Sequence, residues 1–168
     1  MGSFFVRQLA SYAAVHRDPR NKLTHFIGIP TIVFSLLLVL ALWHIPAGGM
    51  VITGALLVGA LAVLGWMALD LGVGLAMAIV MAVLWLAAEG LAAALGPAGT
   101  WIASGALFVG GWILQFLGHH YEGRRPALLD NLFQAFIGPM FLVAEAMVVL
   151  GWRRDLQAAM THTAVTPR

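Results

Sequence analysis

Long apolar runs separated by short polar clusters dominate this chain. Four stretches are almost free of charge: Phe26 to Ile45, Met50 to Leu69, Leu71 to Leu95 and Thr100 to Leu117. A helix needs about 20 apolar residues to cross a bilayer, so each run predicts a transmembrane helix. The third run is long and carries Glu89; the fourth is slightly short. A fifth apolar segment, Leu132 to Trp152, contains Gly138, Pro139 and Glu145. It predicts a membrane-embedded helix that either crosses or turns back at Gly138 and Pro139. Broken backbone at membrane depth is tolerated only where protein or a cavity covers it. The expected fold is all-α: an integral membrane helical bundle with four full spans, a fifth embedded segment and a short N-terminal amphipathic helix. Residues 1–156 are expected to form one membrane-embedded domain, and 157–168 a flexible tail.

The amphipathic helix is read from spacing. Phe5, Leu9, Tyr12 and His16 recur at intervals of four, three and four, which is one helical face. Arg7, Ser11 and Asp18 lie on another. His16 therefore shares the apolar stripe. Pro19, flanked by Asp18 and Asn21, breaks the helix. An unbroken helix would turn His25 about 180° away from His16; a turn at Pro19 lets both face one point. A second stripe closes the fourth run. Gly111, Gln115, His119 and Glu122 follow at spacings of four, four and three. His120 projects about 100° from His119.

Composition strengthens the membrane reading. The chain is 61% hydrophobic and 10% charged, against about 25% charged in a soluble domain. Its mean hydropathy is +0.93. A cleavable signal peptide is not expected, because the start lacks a basic region followed by an apolar core. With no cysteine, disulfides and thiolate ligands are excluded. The net charge of +2 is too small and scattered to imply nucleic acid. Its placement is informative instead. Arg7, Arg17, Arg20 and Lys22 precede the first run, and Arg124 and Arg125 follow the fourth, which puts both segments on the cytoplasmic side. Trp43, Trp101 and Trp152 fit interfacial belts. The absence of cysteine and the alanine-rich composition favour a bacterial cytoplasmic membrane over an endoplasmic reticulum.

That topology gathers chemistry on one face. His16 and His25 precede the first run; four crossings later the chain returns with His119 and His120. Asp70, Glu122 and Asp130 share that face, while His44 lies opposite. Ionisable groups at membrane depth are expensive, and histidine is the commonest metal ligand. A metal site held by imidazole or carboxylate is therefore expected, with iron, zinc, manganese or copper as candidates. Asp70 can instead cap the third helix. Two other classes stay open: a transporter or channel using Glu89 and Glu145, and a haem-binding or quinone-linked membrane protein with axial histidines.

Two blocks carry a resemblance that spans Tyr12 to about Glu145. The first is Tyr12-Ala-Ala-Val-His16-Arg-Asp-Pro-Arg-Asn21-Lys-Leu-Thr-His25-Phe-Ile-Gly28-Ile-Pro30. The second is Gln115-Phe-Leu-Gly118-His119-His120-Tyr-Glu122-Gly123-Arg124-Arg-Pro126-Ala127-Leu128-Leu-Asp130-Asn131-Leu. Together they resemble the membrane-bound, iron-dependent 2-hydroxy fatty acid dioxygenases, whose fungal members act in the alpha-oxidation branch of phytosphingosine breakdown. The resemblance implies Fe(II) as cofactor, with His16, His25 and His119 as ligands; the shared face adds His120 as a fourth ligand or close neighbour. It implies a long-chain 2-hydroxy fatty acid and dioxygen as substrates, and a fatty acid one carbon shorter as product. Three protein ligands on a six-coordinate iron leave positions for a chelating 2-hydroxy acid and dioxygen. On this reading Arg124 or Arg125 steers the carboxylate, and Glu122 or Asp130 orients a ligating imidazole.

Overall fold

The structure, a computed structural model, describes residues 3–123 and 133–161. Arg124, Arg125, Asp130 and His162 lie outside the described residues. The chain is mostly helical. Its elements are α1 (Ser3–Ala14), α2 (Pro19–Ala41), β1 (His44–Ala47), β2 (Met50–Thr53), α3 (Gly54–Leu69), α4 (Leu71–Glu122), α5 (Phe133–Val149) and α6 (Arg154–Thr161). Among the described residues, two helices, α2 and α4, are long and apolar enough to cross a membrane.

The stripe of α1 is buried as its spacing predicts: Phe5, Leu9, Tyr12 and His16 are all at most 5% exposed. Asp18 caps α2, accepting from the Arg20 amide at 2.8 Å, with Pro19 in the first turn. Proline fits there because its missing N–H would have no helical partner.

The 52 residues of α4 are two helices joined at Gly96, whose φ of 65° and ψ of 175° are not helical. That region of backbone space is open essentially to glycine alone. The following Pro97 has no N–H to continue the first half. The second half runs antiparallel to α2: Ser104 donates to the Ser35 carbonyl at 2.7 Å, and His25 meets His119. Close approach between the two helices requires glycine at their crossing. A Cβ on Gly111 would lie 2.6 Å from Ile32 and 3.1 Å from the Gly28 carbonyl oxygen. Small residues at such crossings let helix backbones come together.

Two features differ from the sequence reading. Residues 44–53 form an antiparallel hairpin rather than the end of one helix and the start of the next. Its turn is at Gly48 and Gly49, and β-branched Val51, Ile52 and Thr53 favour extended backbone. The helical part of the second run is therefore only the 16 residues of α3, about 24 Å long. The second difference is α5, which passes through Gly138 and Pro139 without a break. Just beyond it, Arg153 pairs with Asp70 at the junction of α3 and α4, at 2.7 and 3.1 Å. Lys22 pairs with Glu145 of α5, and Gln8 of α1 accepts from Gln134 at 2.8 Å. Both ends of α5 thus lie at the end of the bundle that holds the histidines. α6 spans residue 156, the last residue of the expected domain, and Leu156 is fully buried.

Candidate metal centre

Three imidazoles come together, two of them nine residues apart and the third 94 residues further along the chain. His16 comes from the link between α1 and α2, His25 from the second turn of α2, and His119 from the last turn of α4. All three are buried, at 3%, 1% and 5% exposure. Their ligand atoms lie within 4.8 Å of one another. His16 is held flat against Tyr12, with ring centroids 4.0 Å apart and planes 1° from parallel.

The hydrogen bonds fix which nitrogen of two rings carries the proton. His16 Nδ1 is 2.8 Å from the Tyr12 carbonyl oxygen, and His25 Nδ1 is 2.9 Å from that of Asn21. A carbonyl oxygen only accepts, so each Nδ1 donates and each Nε2 is left as a bare lone pair. Yet His16 Nε2 stands 3.2 Å from His25 Nε2, and His25 Nε2 stands 3.3 Å from His119 Nε2. Protonating the cluster is not the remedy: burial pushes the His16 imidazole down to about 4. A proton on His119 Nε2 relieves the second contact at most and leaves the first.

A cation relieves both. With metal–nitrogen bonds of about 2.0–2.1 Å, neighbouring imidazole nitrogens sit about 3.0–3.4 Å apart, which matches the two separations here. The three neutral nitrogens suit a first-row transition metal. Glu89 accepts from Thr53 and Trp85 at the far end, whereas Glu145 pairs with Lys22 near the histidines.

The other expected site residues are placed differently. His120 is exposed, its ring 6.2 Å from that of Tyr121, and the structure does not bring it into the cluster. One helical step from His119 turns it about 100° to the outside. Glu122 is near the cluster but does not bond a ring. Its carboxylate accepts from the Arg17 amide at 3.0 and 3.1 Å, the Asp18 amide at 2.9 Å and Asn21 Nδ2 at 3.0 Å. It ties the end of α4 to the link that carries His16. Asn21 extends the connection, since its carbonyl accepts the hydrogen bond from His25 Nδ1. The role of Asn21 was missed, although it precedes His25 by four residues and so shares its helical face. Asp70 caps α4, accepting from Val73 at 2.9 Å. His44 is exposed in β1 at the other end.

A cavity of about 270 Å³ opens from the cluster. Ile29, Ile32, Val33 and Leu36 of α2 line one wall, Phe108 and Trp112 of α4 another, and Gly138 and Pro139 of α5 a third. Leu36 and Phe108 are 50% and 38% exposed, so its apolar end opens sideways on the outer surface of the bundle. His16 also borders a second, polar cavity of about 360 Å³, lined by Arg17, Lys22 and Glu145.

A family model described as "2-hydroxy-palmitic acid dioxygenase Mpo1-like" matches residues 3–150. A relative from Saccharomyces cerevisiae, "2-hydroxy-palmitic acid dioxygenase MPO1", is 34% identical over 157 residues, covering 92% of this chain and 86% of its own length. No solved structure matches the chain.

Proposed function

This chain belongs to the 2-hydroxy-palmitic acid dioxygenase Mpo1-like family, and from that membership we propose that it is an Fe(II)-dependent dioxygenase of long-chain 2-hydroxy fatty acids. The observation that carries the reading is the convergence of the His16, His25 and His119 nitrogens at the neck of an apolar cavity. The overall reaction balances without an added reductant. A 2-hydroxy acid and dioxygen give the acid one carbon shorter, carbon dioxide and water, as the bond between the carboxyl carbon and C2 breaks.

His16, His25 and His119 would hold the iron through Nε2. Bound there, iron supplies redox chemistry and open positions for substrate oxygens and dioxygen. The Tyr12 and Asn21 carbonyls keep two of the lone pairs pointed inward by holding the protons on Nδ1. Glu122 is a positioning residue, fixing the α1–α2 link against α4. The apolar walls receive the alkyl chain and exclude water from it. Arg17 and Lys22, on the polar side of His16, attract the carboxylate. Arg124, which follows Gly123 in sequence, keeps its sequence-based assignment as a further carboxylate-steering cation.

We place α2, α3 and the two halves of α4 across a bilayer as four spans, with α5 embedded from one face and residues 1–156 as one domain. The histidine end faces the cytoplasm, in a bacterial cytoplasmic membrane. The decisive assay gives anaerobically reconstituted protein 2-hydroxypalmitate and ferrous iron, then dioxygen, with products read by mass spectrometry. Pentadecanoic acid should appear only when both iron and dioxygen are supplied, and not from palmitate or 3-hydroxypalmitate. Folded, iron-loaded protein that turns over no 2-hydroxy acid would overturn the reading.

A further inference from the structure

One hydrogen-bond donor in the apolar cavity has no assigned task. Gln115 lines that cavity, is only 7% exposed, and its Nε2 has no hydrogen-bond partner among the described residues. It stands one turn before His119 on the face of α4 that meets α2. Gly28 is opposite: a Cβ there would lie 2.5 Å from Gln115 Nε2. The glycine makes room for the amide. A buried N–H donor without an acceptor costs about 1–3 kcal/mol. In the structure that nitrogen faces Gly28; a half-turn of the amide would set Oε1 against the Gly28 Cα–H, a weakly favourable contact, and direct the NH2 group into the cavity. Gln134 shares the lining and its Oε1 is also without a partner among the described residues, but its Nε2 is given to Gln8 at 2.8 Å, so it offers the cavity an acceptor and not a donor.

Depth decides which ligand atom the amide meets. From the polar end inward, α4 presents His119, then Gln115, then Trp112 and Phe108. The cationic side chains Arg17 and Lys22 lie on the other side of His16. A fatty acid on this axis turns its carboxylate toward Arg17 and Lys22 and its chain toward Phe108 and Leu36. Gln115 lies on the chain side of the histidines. It therefore meets the oxygen on C2 and not the carboxylate. We propose that Gln115 is a specificity-determining residue that donates a hydrogen bond to the substrate's 2-hydroxyl oxygen and so selects 2-hydroxy acids over unsubstituted ones. The proposal rests on the dioxygenase reading above.

The test is a two-by-two comparison of protein and ligand. Anaerobic, iron-loaded protein is titrated with 2-hydroxypalmitate and with palmitate, each displacing a fluorescent fatty acid. Metal content is measured alongside. In Gln115→Leu, affinity for 2-hydroxypalmitate should fall about tenfold, the worth of one hydrogen bond in a dry site. Affinity for palmitate and metal content should hold within about twofold. The metal's own preference for a chelating acid is common to both proteins and cancels in the comparison. If Gln115→Leu fails to fold, Gln115→Asn serves, since it withdraws the same amide by one methylene. Equal loss for both acids would make Gln115 a packing residue and overturn the proposal. So would a preference that survives in the variants. Wild-type protein with no preference for the hydroxylated acid counts instead against the dioxygenase reading itself.

Discussion

His16 and His25 each spend Nδ1 on a carbonyl oxygen four residues earlier in the chain, and that spacing is what turns their other nitrogens toward one point. Removing any one imidazole of the three takes away a third of the donor set. His16→Ala, His25→Ala and His119→Ala should each lower metal content by at least about tenfold, measured by elemental analysis of detergent-purified protein. His44→Ala and His120→Ala should leave it unchanged. Comparable loss at His44, which sits at the opposite end, would mean that binding is non-specific. The three converging histidines were legible because each stands beside an apolar run whose helical phase can be counted. His120 was expected as a fourth ligand or close neighbour because it shares that membrane face; the 100° step from His119 instead turns it outward. The unpartnered amide of Gln115 was not legible at all. Spacing placed it on the right stripe, but whether a buried amide finds an acceptor depends on what the facing helix offers, here the bare Cα of Gly28.

Between elements, two carboxylates act as clasps. Glu122 joins the end of α4 to the backbone of Arg17 and Asp18. Glu122→Ala should weaken metal affinity about 10- to 100-fold, the usual effect of losing a group that supports ligands, in a competition titration against a chelator. Unchanged affinity would show that the link holds His16 in place unaided. Asp70 joins the α3–α4 junction to Arg153, and the guanidinium holds its carboxyl below the ordinary carboxylate range. A carboxyl whose pKa is lower folded than unfolded adds stability above the unfolded value of about 3.9 and loses it as pH falls through the folded one. Asp70→Asn should therefore cost about 1–3 kcal/mol at neutral pH. The gap between variant and wild type should close as pH drops below about 3.9, followed by thermal unfolding in detergent. The sequence foretold the break at Pro19 and the turn near Gly96, because proline and glycine act locally. It did not foretell the hairpin at His44–Thr53, where apolar residues suit a strand as well as a helix, nor that Asp70 and Arg153 would meet across 83 positions.

For the whole molecule, the antiparallel course of α2, α3 and the two halves of α4 puts every histidine-bearing turn of the site at one end. The cysteine-free chain makes the topology directly testable. Single cysteines at Arg20 and Tyr121 should react with an impermeant thiol reagent from the same side of sealed vesicles, and one at Gly49 from the other. Reaction of Arg20→Cys and Tyr121→Cys from opposite sides would separate the two ends of the proposed site. The sideways opening of the apolar cavity at Leu36 and Phe108 bears on how such an enzyme would count its substrate. A fatty acid that enters between helices is drawn from a two-dimensional solution, and its effective concentration there is a mole fraction of the surrounding lipid. At fixed total substrate and protein, adding inert phospholipid should slow turnover in proportion to that dilution, while changing the aqueous volume should leave the rate alone.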